Sequence, residues 1–201
     1  MSFNNSAAAL AGRLRGKMAL ALLLFTLVSS SLVSGQADKL SEYQAKAALI
    51  YNFCKFTTWP SQAFEEKSSP LVIGILGKDP FKKAFDSIDG KMVGGRRLEI
   101  KRYKKLTDYR AGESHVLFCN SKDKESFKND AALLRLGQSN TLTVGELAGF
   151  AEAGGIIEIG FKSDRLKLRI NPAAAKRANV HLSMNLMKLA EIVSAEDPFE
   201  M

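Results

Sequence analysis

Short apolar runs alternate with segments of helical spacing along this chain. Leu71–Leu76 is a continuous apolar run of strand length that Gly77 closes, His115–Cys119 has the pattern of a second buried strand, and Thr141–Val144 that of another short strand. Short uninterrupted apolar runs bounded by turn residues indicate strands that are buried on both faces. We therefore expect these three segments to lie inside a sheet.

Helical spacing is clearest after residue 40. Ser41 and Gln44 fit a capping box, and apolar positions then recur at helical intervals: Leu40, Tyr43, Ala47, Ile50, Tyr51 and Cys54. Pro60 ends whatever remains of this helix. Shorter helices are predicted at Phe81–Ile88, from Ser121 or Asp123 to about Leu136, at Glu146–Ala153, at Ala173–Ala178 and at Met184–Val193.

Two hairpins complete the pattern. Met92 and Val93 lead through two glycines into Arg96–Tyr103, and Ile156–Phe161 is joined to Leu166–Ile170 by a polar turn. Paired glycines supply the positive φ of a tight turn. Buried strands alternating with helices, with hairpins beside them, predict one α/β domain. We expect a three-layer α/β/α sandwich with a mixed, mostly parallel sheet and antiparallel hairpins at its edge.

The first 37 residues differ from the rest. Arg13, Arg15 and Lys17 precede an acid-free apolar run from Met18 to Val33, and small residues follow where a signal peptidase would cut. The alternative is a retained membrane anchor, but this run of about 16 residues is shorter than the roughly 20 that a spanning helix needs. Residues 1–37 are therefore predicted to be a cleaved secretory signal peptide, followed by a single exported domain at 38–201.

The charge changes this picture little. The chain carries a formal net charge of +8, of which three units belong to the predicted signal peptide, leaving +5 for the remainder. The basic residues are spread along the sequence and do not form one block, and export argues against nucleic acid as a partner. The sequence favours a solvated surface with a mild preference for anionic partners or lipid headgroups.

Candidate chemistry is sparse. Gly77 to Phe81 lies between a strand and a helix, where α/β folds bind phosphates, but it lacks a glycine-rich fingerprint. His115 and His181 are the only histidines and have no second ligand at metal spacing. Ser114 adjoins His115 on a predicted strand, where alternation sends the two side chains to opposite faces. We expect no catalytic residue, no metal and no cofactor.

Cysteines and aromatic residues leave alternatives open. Cys54 and Cys119 could form a disulfide in an oxidising compartment, and two buried free thiols fit their apolar surroundings equally well. The aromatic residues that end the first helix suggest either core packing or a ligand-binding box, and packing is the commoner use. Asn52 and Lys55 fit the core less easily, and could position a loop or contact a ligand.

At these aromatic positions and others, the sequence resembles a known family, the YfiR family. The resemblance extends over about residues 41–194 and is clearest at Tyr51, Asn52, Phe53, Lys55, Phe56, Trp59, Pro60, Gly154, Gly155 and Asn171. The family's fold, as the resemblance implies it, is a periplasmic α/β sandwich that is often a homodimer. We expect these motif positions to be mainly structural.

The resemblance also implies a function. The best known relative binds the periplasmic sensor domain of an inner-membrane diguanylate cyclase and restrains it, so that release raises cyclic di-GMP and favours biofilm. We expect the same kind of partner here, docking on exposed apolar side chains near the C-terminus, with Met184, Leu186 and Met187 as candidates. The rival hypothesis is a periplasmic small-molecule binding protein, whose pocket between the first helix and the sheet takes an aromatic or acyl ligand.

Overall fold

The structure, a computed structural model, describes residues 42–120, 139–162 and 165–193. The chain divides into two units, Met1–Tyr43 and Gln44–Met201, and of the first only the last two residues are described, at the start of helix α1 (residues 42–55). The predicted signal peptide, the Ser41 cap and the helix predicted to end near Leu136 lie outside the described residues. The boundary at residues 37 and 38 stays a prediction.

The second unit is an α/β domain built around an eight-stranded sheet. The strands of the described chain are β1 Thr57–Thr58, β2 Leu71–Leu76, β3 Met92–Val93, β4 Arg96–Tyr103, β5 Val116–Cys119, β6 Leu142–Gly145, β7 Ile157–Lys162, β8 Arg165–Ile170, β9 His181–Leu182 and β10 Glu191–Ile192. Across the large sheet the order is β10-β8-β7-β6-β5-β2-β4-β3. β1 and β9 pair separately as a two-stranded antiparallel ladder.

The large sheet is mixed and mostly parallel. Among its described strands, five of the seven neighbouring pairs are parallel, and the hairpins β3–β4 and β7–β8 are antiparallel. Gly94 and Gly95 have φ of 58° and 81°, which is the backbone that the predicted tight turn requires. The predicted single α/β domain, with a mostly parallel sheet and hairpins towards its edges, is confirmed.

The core lies against the central strands. Every residue of β2 and β5 is buried, as the uninterrupted apolar runs predict. Phe81 is fully buried and packs edge-on against Phe118, with ring centroids 4.7 Å apart. Burial of one such side chain contributes roughly 1.5–3 kcal/mol. The segment after β2 is therefore fixed to the sheet by Phe81, although it forms a 3-10 helix at Lys82–Phe85 and not the longer helix predicted there.

Two other helix predictions are wrong. Residues 146–153 form consecutive turns, because Gly149 has φ of 85° and cannot continue a right-handed helix. The last helix, α3, covers only Met184–Met187, and the chain then forms β10. The edge of β8 explains this change, because Glu191 and Ile192 pair with it and the Val193 N–H donates to the Ile170 carbonyl (2.8 Å). The remaining helix, α2, covers Pro172–Arg177.

Candidate interaction surface

The aromatic motif at the end of α1 divides between core and surface. Phe53 is buried, whereas Asn52 and Lys55 are exposed. Tyr51 is half-buried, and the Nζ atoms of Lys55 and Lys91 lie 5.3 and 5.5 Å from its ring centroid. Cation–π contacts at such exposed sites contribute roughly 0.5–1 kcal/mol. Tyr51 thus links the end of α1 to the residue before β3, and Asn52 faces solvent.

Trp59 and Pro60 have structural roles. The indole N–H of Trp59 donates to the His115 carbonyl (3.1 Å), and its ring meets the His115 ring edge-on, with centroids 6.2 Å apart. Pro60 is the cap residue of a 3-10 turn at Ser61–Ala63. The two residues therefore turn the chain back over the start of β5 and hold it there.

His115 is the centre of this contact. Its Nδ1 accepts the Val72 N–H (3.0 Å), which leaves Nε2 to donate to the Ala63 carbonyl (3.0 Å). Phe64 stacks on the imidazole, with centroids 4.3 Å apart. The pKa of His115 is lowered to about 4, mainly by burial; the Ala63 hydrogen bond opposes this shift, and the charges of Arg96 and Lys101 add to it. His115 is thus a neutral structural residue with both ring nitrogens in use.

The end of the motif meets the C-terminal segment. The Ser183 N–H donates to the Phe56 carbonyl (2.8 Å), and the β1–β9 ladder follows directly, with Thr57 opposite Leu182. Ser183 also caps α3, because its Oγ accepts the Leu186 N–H (3.3 Å). The structure therefore brings together two regions that are about 125 residues apart in sequence, the aromatic motif and the predicted docking residues.

The three predicted docking residues differ in exposure. Met184 is 69% exposed, and Met187 is half-buried beside a pocket. Leu186 is only 3% exposed, because it points into the core from the one buried position of α3. The expectation that Leu186 contacts a partner is therefore wrong. Phe56, which the sequence assigned to the family motif, is 39% exposed and joins this surface instead.

A pocket of about 260 Å³ opens between α2 and β9. Apolar side chains form most of its wall, with a lysine, an asparagine and a histidine among the remaining residues: Pro172, Ala175, Lys176, Asn179, Val180, His181, Leu182 and Met187. The pocket predicted from the sequence was between α1 and the sheet. The observed pocket, between α2 and β9, is a different one. Such a cavity approaches the lower limit of volumes that hold small ligands.

The later motif positions are explained by packing. Gly154 has φ of 100°, and a Cβ on Gly155 would lie 2.1 Å from the Phe150 ring. Asn171 is fully buried, and its Oδ1 caps α2 by accepting the Ala174 N–H (2.9 Å). Its Nδ2 donates to the Ala151 carbonyl (2.8 Å). These residues fasten the turn at 146–155 to the start of α2.

The two cysteines do not form a disulfide. Cys54 and Cys119 are both free and buried, so of the two alternatives the structure shows the free thiols. Burial raises the pKa of Cys54 to about 12 and raises that of Cys119 further. Because the thiolate is the reactive form, neither thiol is prepared for redox chemistry in the folded state.

The turn after β2 has no open place for a phosphate. The carboxylate of Asp79 accepts the N–H groups of Phe81 (2.7 Å) and Lys82 (3.2 Å), the donors that an anion would use. Arg102 neutralises the same carboxylate, with Nε 2.7 Å from Oδ2. A side chain of the protein itself therefore occupies this position.

The part of the chain that the structure describes contains no candidate metal site and no candidate membrane span. Within residues 42–120, 139–162 and 165–193, no three His, Cys, Asp or Glu side chains are grouped to hold a metal ion. Over the same residues, no helix has the length and apolar character that a bilayer crossing requires.

One buried charge was missed in the sequence. Lys46 is 4% exposed, forms an ion pair with Glu146 (2.9 Å) and lies 5.4 Å from the Phe161 ring centroid. Its spacing from Ile50 and Phe53 places it on the core side of α1, and this was the available signal. The pair joins α1 to the segment after β6, so its role is structural.

Comparison with known proteins gives the family. The sequence model of the YfiR/HmsC-like family matches residues 43–191, which is most of the chain. No curated protein matches the sequence. Among solved structures, the chain is similar to a conserved domain protein from Vibrio cholerae O1 biovar El Tor, with a TM-score of 0.44 and 14% identity. The alignment covers 62% of this chain and 55% of that one, so this chain spans about half the length of the solved protein.

Proposed function

Because the chain belongs to the YfiR/HmsC-like family of periplasmic regulators, we propose that it docks on the periplasmic sensor domain of an inner-membrane diguanylate cyclase and restrains the enzyme. Release of the restraint would raise cyclic di-GMP and favour biofilm. Family membership is the observation that carries this proposal. Membership of this family supports a regulatory role rather than a catalytic one.

The surface that supports docking is formed by Phe56, Met184 and Met187, and we name it the docking surface. Phe56 and Met184 belong to segments that the Ser183–Phe56 hydrogen bond joins, and both side chains are exposed. Interface cores are enriched in phenylalanine and methionine, which bury a large apolar area without desolvating polar groups. The buried Leu186 and Phe53 lie next to them in sequence and give the surface a rigid support.

The test is direct binding of the purified exported form to the purified periplasmic sensor domain of the cyclase, measured by calorimetry. Met184→Glu puts a charge at the most exposed position of the docking surface. We expect at least a tenfold weaker affinity, because an unpaired charge in an interface must be desolvated.

Leu166→Glu is the matched control. Leu166 is also exposed and apolar, and it pairs with Phe161, which contacts Lys46 near the start of α1. The docking surface is at the other end of that helix. Equal affinities of Met184→Glu and wild type, with both proteins folded, would exclude the docking surface, and absence of wild-type binding would exclude the partner.

A second candidate function is supported by the pocket between α2 and β9. We propose, as the alternative, that the protein binds a small molecule with an acyl or aromatic body there, against Val180, Leu182 and Met187. Protection of the wild type, but not of Ala175→Phe, against thermal unfolding by such compounds supports this role. A neighbouring gene for a transporter favours ligand carriage, and one for a membrane cyclase favours docking.

We also propose that the protein is a homodimer, as the resemblance to the family implies. Light scattering of the exported form measures the mass directly. A monomer at all concentrations tested contradicts the proposal.

A further inference from the structure

The basic residues of the chain are concentrated at one edge of the large sheet. Residues 78–105 contain ten Lys or Arg and four Asp or Glu, a net charge of +6. The chain after residue 37 carries +5, so the rest of it is close to neutral. These residues begin in the turn after β2 and run through the β3–β4 hairpin, and β2, β4 and β3 hold the last three positions of the sheet.

At the carboxyl end of β4 several of these cations come together. The Gly77 N–H donates to the Tyr103 carbonyl (2.8 Å), so Lys78 and Lys104 follow directly from a hydrogen-bonded pair of residues. The Arg102 guanidinium reaches the Lys82 carbonyl (3.4 Å), which places the turn at Lys82 beside the same end. From the sequence we expected the basic residues to be spread over the surface, but the parallel pairing of β2 with β4 brings these lysines together.

Few acidic groups neutralise these cations. Asp79 pairs with Arg102, and Arg96 is bound to the carbonyls of Glu66 and Ser69. Within the described part of the chain the other eight form no ion pair, and all are exposed: Lys78, Lys82, Lys83, Lys91, Arg97, Lys101, Lys104 and Lys105. We name these eight side chains the basic edge.

The basic edge is long and carries an exposed apolar side chain at its far end. The eight residues of β4 separate the Lys104 end from the hairpin end by roughly 25 Å. At the hairpin, Met92 is 60% exposed between Lys91 and the glycine turn. An extended row of cations with an apolar tip fits a flat anionic surface better than it fits a compact ligand.

We propose that the basic edge binds the surface of a membrane that contains anionic phospholipid, with Met92 entering the headgroup region. Cations near such a surface each contribute about 1 kcal/mol, which corresponds to roughly fivefold in affinity. Acyl-chain contact of an apolar side chain adds to the attraction. This inference is independent of the docking partner, since the basic edge shares no residue with the docking surface.

The test is co-sedimentation of the exported form with phosphatidylcholine vesicles that contain or lack phosphatidylglycerol. We expect binding only to the anionic vesicles, with loss at high NaCl because salt screens exposed charges. The triple variant Lys78→Glu, Lys83→Glu, Lys104→Glu should lose at least about 100-fold in affinity. The control triple Arg165→Glu, Lys176→Glu, Lys188→Glu makes the same change in net charge at exposed positions outside the basic edge.

Each outcome decides the proposal. Retained binding by the control triple and loss by the edge triple support it, provided that circular dichroism shows both to be folded. Equal loss in both triples would mean that net charge alone attracts the protein, and would overturn the assignment to the basic edge. Absence of wild-type binding to anionic vesicles overturns it as well.

Discussion

The two edges of the large sheet carry many charges and use them in opposite ways. At the β8–β10 edge, Arg169 contacts Glu152, Glu158 and Glu191, and Glu191 also pairs with Lys167 (2.6 Å). At the β3–β4 edge, the eight cations of the basic edge form no ion pair within the described residues. One edge neutralises itself, and the other presents its charge to the surroundings.

The difference teaches that the arrangement of charges, and not their number, indicates a function. The pairs at the β8–β10 edge follow from register, because Arg169 lies opposite Glu158 on one side and Glu191 on the other. Cross-strand pairs of opposite charge stabilise a sheet. Glu99 is the only acidic residue on β4. The cations of the basic edge therefore repel one another unless a partner supplies anions.

The largest expected effect concerns His115, whose pKa is lowered mainly by burial and to a smaller extent by Arg96 and Lys101 at the β3–β4 edge. His115 has a pKa of about 4 in the folded protein, against 6.5 for an ordinary histidine. The unfolded chain therefore takes up the proton first as the pH falls. We expect a loss of about 3 kcal/mol of unfolding free energy between pH 6.5 and pH 4 through this residue.

Urea denaturation of wild type and His115→Gln across that pH range measures this contribution. It is the difference between the two proteins in the slope of unfolding free energy against pH. His181→Gln, at an exposed histidine, is the control and should keep the wild-type slope. Parallel pH profiles for wild type and His115→Gln would show that His115 is not held neutral.

The next effect breaks the paired edge. Arg169→Met removes the cation shared by three carboxylates, including Glu158, which is 6% exposed. We expect a loss of about 2 kcal/mol in urea denaturation, because the mostly buried Glu158 carboxylate loses its cation and, among the described residues, keeps only the Ala151 N–H (3.2 Å). Arg97→Met at the basic edge should change stability by less than about 0.5 kcal/mol. Equal effects at the two edges would contradict the comparison.

The smallest effect sharpens the description of the basic edge. Lys82 has φ of 48°, a conformation that glycine adopts without strain. Lys82→Gly should therefore raise the unfolding free energy by about 0.5–1 kcal/mol. Lys83→Gly, inside the 3-10 helix, should lower it, and thermal unfolding of the two variants distinguishes them. Destabilisation by Lys82→Gly would mean that the lysine side chain makes a contact that outweighs the strain.

Local patterns were enough to predict the longer strands of the sheet, but not the two-residue strands β1, β9 and β10. β2 matches its predicted bounds because six consecutive apolar residues and a glycine leave few alternatives. The helix predicted at Met184–Val193 failed because the apolar spacing of Leu186, Leu189 and Val193 is compatible with a helix, and only the distant β8 edge offers Glu191 and Ile192 a strand partner. Leu189 is consequently 73% exposed.

The site could be predicted only in part. The motif residues were found by resemblance, but the contact of Phe56 with Ser183 joins positions that no local pattern relates. The burial of Leu186 and the gathering of lysines at the basic edge likewise depend on how α3 and β4 pack. The sequence gives the residue types, but which of these residues share a surface can be known only from the fold.

The most direct test of the regulatory account is intracellular cyclic di-GMP in a deletion strain. The strain is complemented with the wild type, with a form lacking residues 1–37 and with Met184→Glu. The account predicts that deletion raises cyclic di-GMP, that only the exported wild type restores it, and that Met184→Glu restores it poorly although it is exported and folded. An unchanged level on deletion, or full restoration by the form that stays in the cytoplasm, would contradict a periplasmic restraint on a cyclase.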